Sequence, residues 1–182
     1  VPDLFLYSAH QPARFPKQFF SEVRHSSIFD KAHFPQILIS PPRINNPMAP
    51  EITFVTSNKH KFAEAESILR GIGITVKHVL YEYPELQLMD PKEIAENSAR
   101  FCFNKFRKPL FVEDSGISVP SLGGFPGPFT SYVLKTIGTE GLLKLAKGMP
   151  AEAHSIVAYI DSKTLKSFVG KVTGKLVSHR GN

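Results

Sequence analysis

Two periods of apolar spacing alternate along this chain, and they become regular only from Glu51 onward. The run Ile52-Thr53-Phe54-Val55-Thr56 is rich in β-formers and gives way to a polar turn, Ser57-Asn58-Lys59-His60-Lys61. Behind it Phe62, Ala65, Ile68, Leu69 and Ile72 recur at helical spacing, with Gly71 and Gly73 as the stop. Residues 75–79 read as a second strand and residues 81–89 as a connector. Asp90-Pro91-Lys92-Glu93 then opens a helix with an N-cap aspartate, a proline at the first helical position and a glutamate in a box-like position. Its apolar face is Ile94, Ala95, Ala99, Cys102 and Phe106, which makes Cys102 a core residue and not a nucleophile.

After Pro109, the apolar Leu110-Phe111-Val112 is closed abruptly by Glu113-Asp114-Ser115-Gly116, a strand that delivers acid groups to an edge. Ligand sites in open α/β sheets lie beyond the carboxyl ends of such strands, so chemistry is expected here. Neighbouring strand residues face opposite ways, and only one of the two carboxylates can point into a given cleft. Residues 116–128 carry too much glycine and proline for regular structure and are expected to form a shaped loop beside the acids. Two short helices follow over residues 129–137 and 139–147, the second capped by Thr139 with Glu140 in its first turn. Residues 153–160 and 165–172 form a hairpin around Asp161-Ser162-Lys163, and residues 174–182 a polar, basic tail.

Residues 1–47 break the pattern: they hold 7 of the 15 prolines and 3 of the 7 histidines, with many phenylalanines at no sustained period. This stretch reads as an extension of unknown role, with at most one weak helix over residues 17–32, and residues 48–182 as the domain proper. His10, His25 and His33 match no metal-ligand spacing. The net charge of +6 and pI near 9.4 favour anionic partners, and its scatter without long basic runs favours a small phosphate ligand over nucleic acid. A single cysteine excludes an intramolecular disulfide and fits a cytoplasmic setting, and no apolar stretch is long enough to cross a bilayer. Strand, polar turn and helix over residues 52–70 form a phosphate-binding arrangement, since a helix start offers unpaired N–H groups and a positive dipole end; the same residues also read as a capped helix with Asn58 or Ser57 as N-cap.

Three segments taken together carry a resemblance. Thr56-Ser57-Asn58-Lys59-His60-Lys61-Phe62-Ala63-Glu64, Val112-Glu113-Asp114-Ser115-Gly116 and Leu122-Gly123-Gly124-Phe125-Pro126-Gly127-Pro128 resemble, in order and spacing, the inosine triphosphate pyrophosphatase family, also called Ham1-like non-canonical purine NTP pyrophosphatases. The similarity is closest to archaeal members through Glu82-Tyr83-Pro84-Glu85 and the segment from Tyr132 to Gly138. It implies an α/β fold, a mixed central sheet flanked by helices, and metal-dependent hydrolysis of ITP, dITP and XTP to monophosphate and pyrophosphate. Thr56, Ser57, Asn58 and Lys61 would hold the triphosphate, and Ser115 with Gly116 would contact substrate. Asp114 would prepare the attacking water beside catalytic Lys61, and Glu85 would join Asp114 on Mg²⁺. Glu113 would support them. A homodimer without membrane partners is the implied assembly.

Family members continue past the hairpin with a Gly-Phe-Gly-(Tyr/Trp)-Asp-Pro segment and a later Ser-His-Arg segment that grips the base. Against that pattern Ser178-His179-Arg180-Gly181 can be read as a C-terminal truncation after Arg180-Gly181, or as an internal deletion that leaves His179 and Arg180 as base contacts. On either reading the purine pocket and the C-terminal end of the sheet are expected to be incomplete, with an apolar edge that residues 1–47 could cover. The alternative function is a catalytically impaired remnant that binds only nucleotide or RNA phosphate through residues 56–61. A Maf-like pyrophosphatase shares the general architecture, but its Ser-Pro-Arg-Arg type loop is absent.

Overall fold

The β-branched and aromatic run ending at Val55 forms a strand whose inner half is fully buried, and the rest of the sheet is assembled around it. The computed structural model describes residues 4–8, 11–14 and 50–178. In chain order the elements are β1 (Leu4–Ser8), β2 (Gln11–Arg14), β3 (Glu51–Val55), α1 (Lys59–Arg70), β4 (Thr75–Val79), α2 (Pro91–Phe106) and β5 (Leu110–Ser118). A 3₁₀ turn (Pro120–Leu122), β6 (Pro126–Gly127), α3 (Thr130–Thr136), α4 (Gly138–Ala146), β7 (Pro150–Ile160) and β8 (Leu165–Ser178) follow. The strands form one sheet in the order β2-β1-β8-β7-β5-β3-β4, with β6 paired to β5 off that path. β3 runs parallel to β4 and β5, and the other pairs are antiparallel, so the sheet is mixed as expected.

Side-chain alternation along β5 divides the core. Phe111 stacks on Phe54, ring centroids 4.3 Å apart, and joins Ala65 of α1 and Val76 of β4. Leu110 and Val112 turn to the other face, where Ala95, Ala99 and Cys102 of α2 pack on Ile156, Ala158 and Ile160 of β7. A third cluster sets Ile117, Val119, Ala153 and Leu176 beneath Val133, Leu142 and Ala146 of α3 and α4. The start of α2 is as expected: Asp90 accepts the Lys92 N–H at 2.8 Å and Pro91 follows, a cap that contributes about 1 kcal/mol.

Several expectations are corrected. The acidic residues do not end their strand. β5 leaves its parallel partner after Phe111, paired to Phe54, but stays bonded to β7 from Leu110 through Ser118. Residues 116–128 are correspondingly more regular than a loop, holding the end of β5, the 3₁₀ turn and β6. Thr139 does not cap α4; it is buried inside the helix, whose first turn follows Ile137 without a side-chain cap. Ile72 lies beyond α1 and is half exposed. Residues 174–178 are not a tail: they continue β8, and Leu176 is fully buried. β1 lies antiparallel on this end of β8, pairing Leu4–Tyr7 with residues 175–178. The helix expected over residues 17–32 and the histidines at 10, 25 and 33 fall outside the described residues.

Candidate active site

The turn between β3 and α1 is held by its own side chains. Asn58 is the N-cap: its Oδ1 accepts the N–H groups of His60 at 2.9 Å and Lys61 at 3.2 Å, while its own N–H donates to Thr56 Oγ1 at 3.1 Å. The strand edge fixes the turn from below, through the Thr56 N–H on the Val79 carbonyl and a contact of His78 Nε2 with the Thr56 carbonyl at 3.0 Å. His78 is oriented by stacking on Phe62, centroids 4.1 Å apart. The helix start is therefore partly satisfied from within, because Asn58 already occupies two of its N–H groups. Lys61, the third residue of α1, lies in this first turn.

Glu113 and Asp114 occupy opposite faces of β5. Glu113 shares the α1 face, where Lys61 Nζ lies 2.7 Å from Oε2 and Ser155 donates its hydroxyl to Oε1 at 2.6 Å. The ammonium contact is a short ion pair, and no other donor among the described residues reaches Oε2. The Glu113 side chain is 1% exposed and that of Lys61 23%, so the pair is dry at one end and open at the other. Burial alone would lower the Lys61 pKa, but Glu113, with Asp114 and Glu85 behind it, outweighs burial and holds the ammonium above its ordinary value.

Asp114 faces the other way. It lines a cleft of about 210 Å³ with Glu85 and Leu86 of the connector, Ile94 of α2, Phe129, and Tyr132 and Lys135 of α3. Burial raises its pKa to about 6 against the pull of Lys61, with Glu85 and Glu113 adding to the rise and the Ser115 N–H opposing it. Among the described residues no group of three or more His, Cys, Asp or Glu side chains is arranged around a metal position. The pair Glu85 and Asp114 instead offers hard oxygens of the kind that bind a divalent ion jointly with a ligand's phosphates.

The predicted residues thus converge only in part. Lys61, Asp114 and Glu85 share one electrostatic neighbourhood. Thr56 is buried and Ser57 and Asn58 are exposed on the turn. Ser115 sits opposite Ser155, on the Glu113 face, and reaches Asp114 through its backbone. Gly116 is required by close approach: a Cβ there would lie 2.7 Å from His154 Nε2 and 2.8 Å from the Gly127 carbonyl. His179 and Arg180 lie outside the described residues. The sequence reading missed Ser155, Phe129 and Lys135. Ser155 carries no local signal; only the β5–β7 register brings it to Glu113. Cys102 is buried as expected, its thiol pushed up to about 11 by burial.

Comparison with known proteins gives a consistent match. Residues 52–182 fit the sequence model of the Ham1 family. A protein of Methanopyrus kandleri named dITP/XTP pyrophosphatase is 42% identical over 130 residues, covering 69% of this chain and 69% of the relative. One of the same name from Saccharolobus solfataricus is 38% identical over 136 residues, covering 72% of this chain and 71% of its own. Among solved structures, a HAM1 protein from Coxiella burnetii superposes with a TM-score of 0.60 at 20% identity, over 69% of this chain and 72% of that one, which is a likeness of fold.

Proposed function

Because this chain belongs to the Ham1 family, we propose that it is a nucleoside triphosphate pyrophosphatase that hydrolyses the non-canonical purine nucleotides ITP, dITP and XTP to monophosphate and pyrophosphate. The observation that supports the reading is that Asp114 and Glu85 line one cleft while Lys61, from the other face of β5, lies close enough to act on both acids, a set suited to holding a triphosphate and activating water. The reading of a non-catalytic remnant gains nothing from relatives named for an enzyme activity.

In this reading Lys61 neutralises phosphate charge as a compact ammonium, aided by the Ser57 hydroxyl and the Asn58 side-chain amide at the turn and by the Thr56 hydroxyl. Asp114 orients and deprotonates the water that attacks the α-phosphorus, and pyrophosphate leaves as the anhydride bond breaks. A base near neutrality suits that task, and a carboxyl raised to about 6 is closer to it than an ordinary aspartate. The donor set fits a divalent cation, with Mg²⁺ the ion proposed, held by Glu85 and Asp114. Such an ion supplies Lewis-acid chemistry to phosphate oxygens. Ser115 and Gly116 contribute strand backbone at the site. The reading also expects a homodimer acting in the cytoplasm, with light scattering as the check on the assembly.

The test is pyrophosphate release from ITP, XTP, GTP and ATP, with and without Mg²⁺, for wild type and Asp114→Asn side by side. Metal-dependent release from ITP and XTP that disappears in the variant is expected. A folded wild type inert toward all four, or a variant with undiminished turnover, overturns the reading or the assignment of Asp114 respectively.

A further inference from the structure

We infer that Ser155 is a positioning residue for Lys61, acting through Glu113; the inference deepens the function proposed above and rests on it for its kinetic readout. Glu113 stands directly opposite Val157 in the β5–β7 ladder, and Ser155 is the next residue of β7 on the same face. From there its hydroxyl reaches Oε1 of Glu113 at 2.6 Å while the other oxygen meets Lys61 at 2.7 Å.

The terminal torsion of a glutamate is soft, and a lysine ends a flexible four-carbon stem. An ion pair between two such groups fixes little by itself. With one carboxylate oxygen pinned to a strand, the other has a single direction, and the ammonium is aimed by the sheet. Ser155 and Glu113 are 5% and 4% exposed, so water does not substitute for this hydroxyl. Lys61 is the one member that reaches solvent, and an ammonium with three protons spends at most one on Glu113. The remaining donors face outward with their origin fixed, ready for a polyphosphate.

The test is a cycle of Ser155→Ala, Lys61→Gln and the double variant, with Ser155→Thr as the conservative rescue and Ser155→Cys as a second variant of nearly native volume. Melting curves confirm that each is folded. In the native Lys61 background Ser155→Ala should lower kcat/KM for ITP roughly tenfold, as for loss of a hydrogen bond to a charged group, and Ser155→Thr should restore it to within about twofold. In the Lys61→Gln background the same change should have no further effect. An equal loss in both backgrounds, or native kcat/KM in Ser155→Ala, overturns the inference. Calorimetric binding of inorganic tripolyphosphate to the same proteins keeps the two readings separable. If the wild type proves inert toward every nucleotide, the proposed function fails, yet weakening of tripolyphosphate by Ser155→Ala only where Lys61 is present still supports the positioning role. No weakening refutes it.

Discussion

Glu113 and Asp114 are neighbours on one strand and have opposite fates. Glu113 is buried more completely, and an ammonium and a hydroxyl meet its two oxygens. Asp114 is less buried, yet burial lifts its carboxyl to about 6, with Glu85 and Glu113 adding to the rise and Lys61 offsetting only part of it. Both acids are taken out of water; they differ in what each meets on its own face, an ammonium and a hydroxyl for Glu113 and a second carboxylate for Asp114.

The largest effect should separate the pair by activity and stability. Asp114→Asn is expected to lower kcat by about 10³-fold, the scale of general-base loss, while leaving the melting temperature equal or higher. Glu113→Gln should instead cost about 2–3 kcal/mol of stability by chemical denaturation, somewhat below the usual cost of breaking a buried pair because Lys61 reaches solvent. If both variants lose stability alike, the contrast between the faces is wrong.

A middle-sized effect comes from pH. Asp114 titrates near 3.8 unfolded and about 6 folded, so between those values the folded chain keeps a proton that the unfolded chain has lost. Its contribution to stability therefore falls as pH rises through that window. A divalent cation can replace the proton only after it has gone. Saturating Mg²⁺ should raise the melting temperature by several degrees at about pH 7.5 and hardly at all at about pH 4.5, and Asp114→Asn should abolish the difference.

The smallest effect is expected at Cys102, on the buried side of α2 over the Asp114 face, where burial likewise favours the neutral form and lifts the thiol to about 11. An Ellman titration of the native protein should give almost no reaction at neutral pH and one thiol in denaturant. Ready reaction in the native state would mean that this face is wetter than its packing implies.

What the sequence alone conveys follows from how far each signal reaches. The α2 cap is legible because Asp90, Pro91 and Glu93 act within one turn. The turn at residues 56–61 and the opposed acids are legible for the same reason. The end of β5 is not, since β7, some forty residues later, decides that the strand runs to Ser118. Thr139 misleads because a cap-forming residue type sits one position inside a helix that starts at Gly138, where φ is +67°. Ser155 is silent until register is known. Each proposed site residue thus sits in a short segment with a signal of its own, and Ser155 does not.

The position of β5 between an earlier and a later strand has a consequence in time. Lys61 follows β3, Asp114 lies in β5 and Ser155 in β7, so β3–β5 pairing brings the first two together and Ser155 joins them only through β7. A chain emerging from the ribosome has no complete set of these groups until Ser155 has been made, about forty residues after Asp114. The complete set is thus a property of the paired strands and of no one stretch of chain.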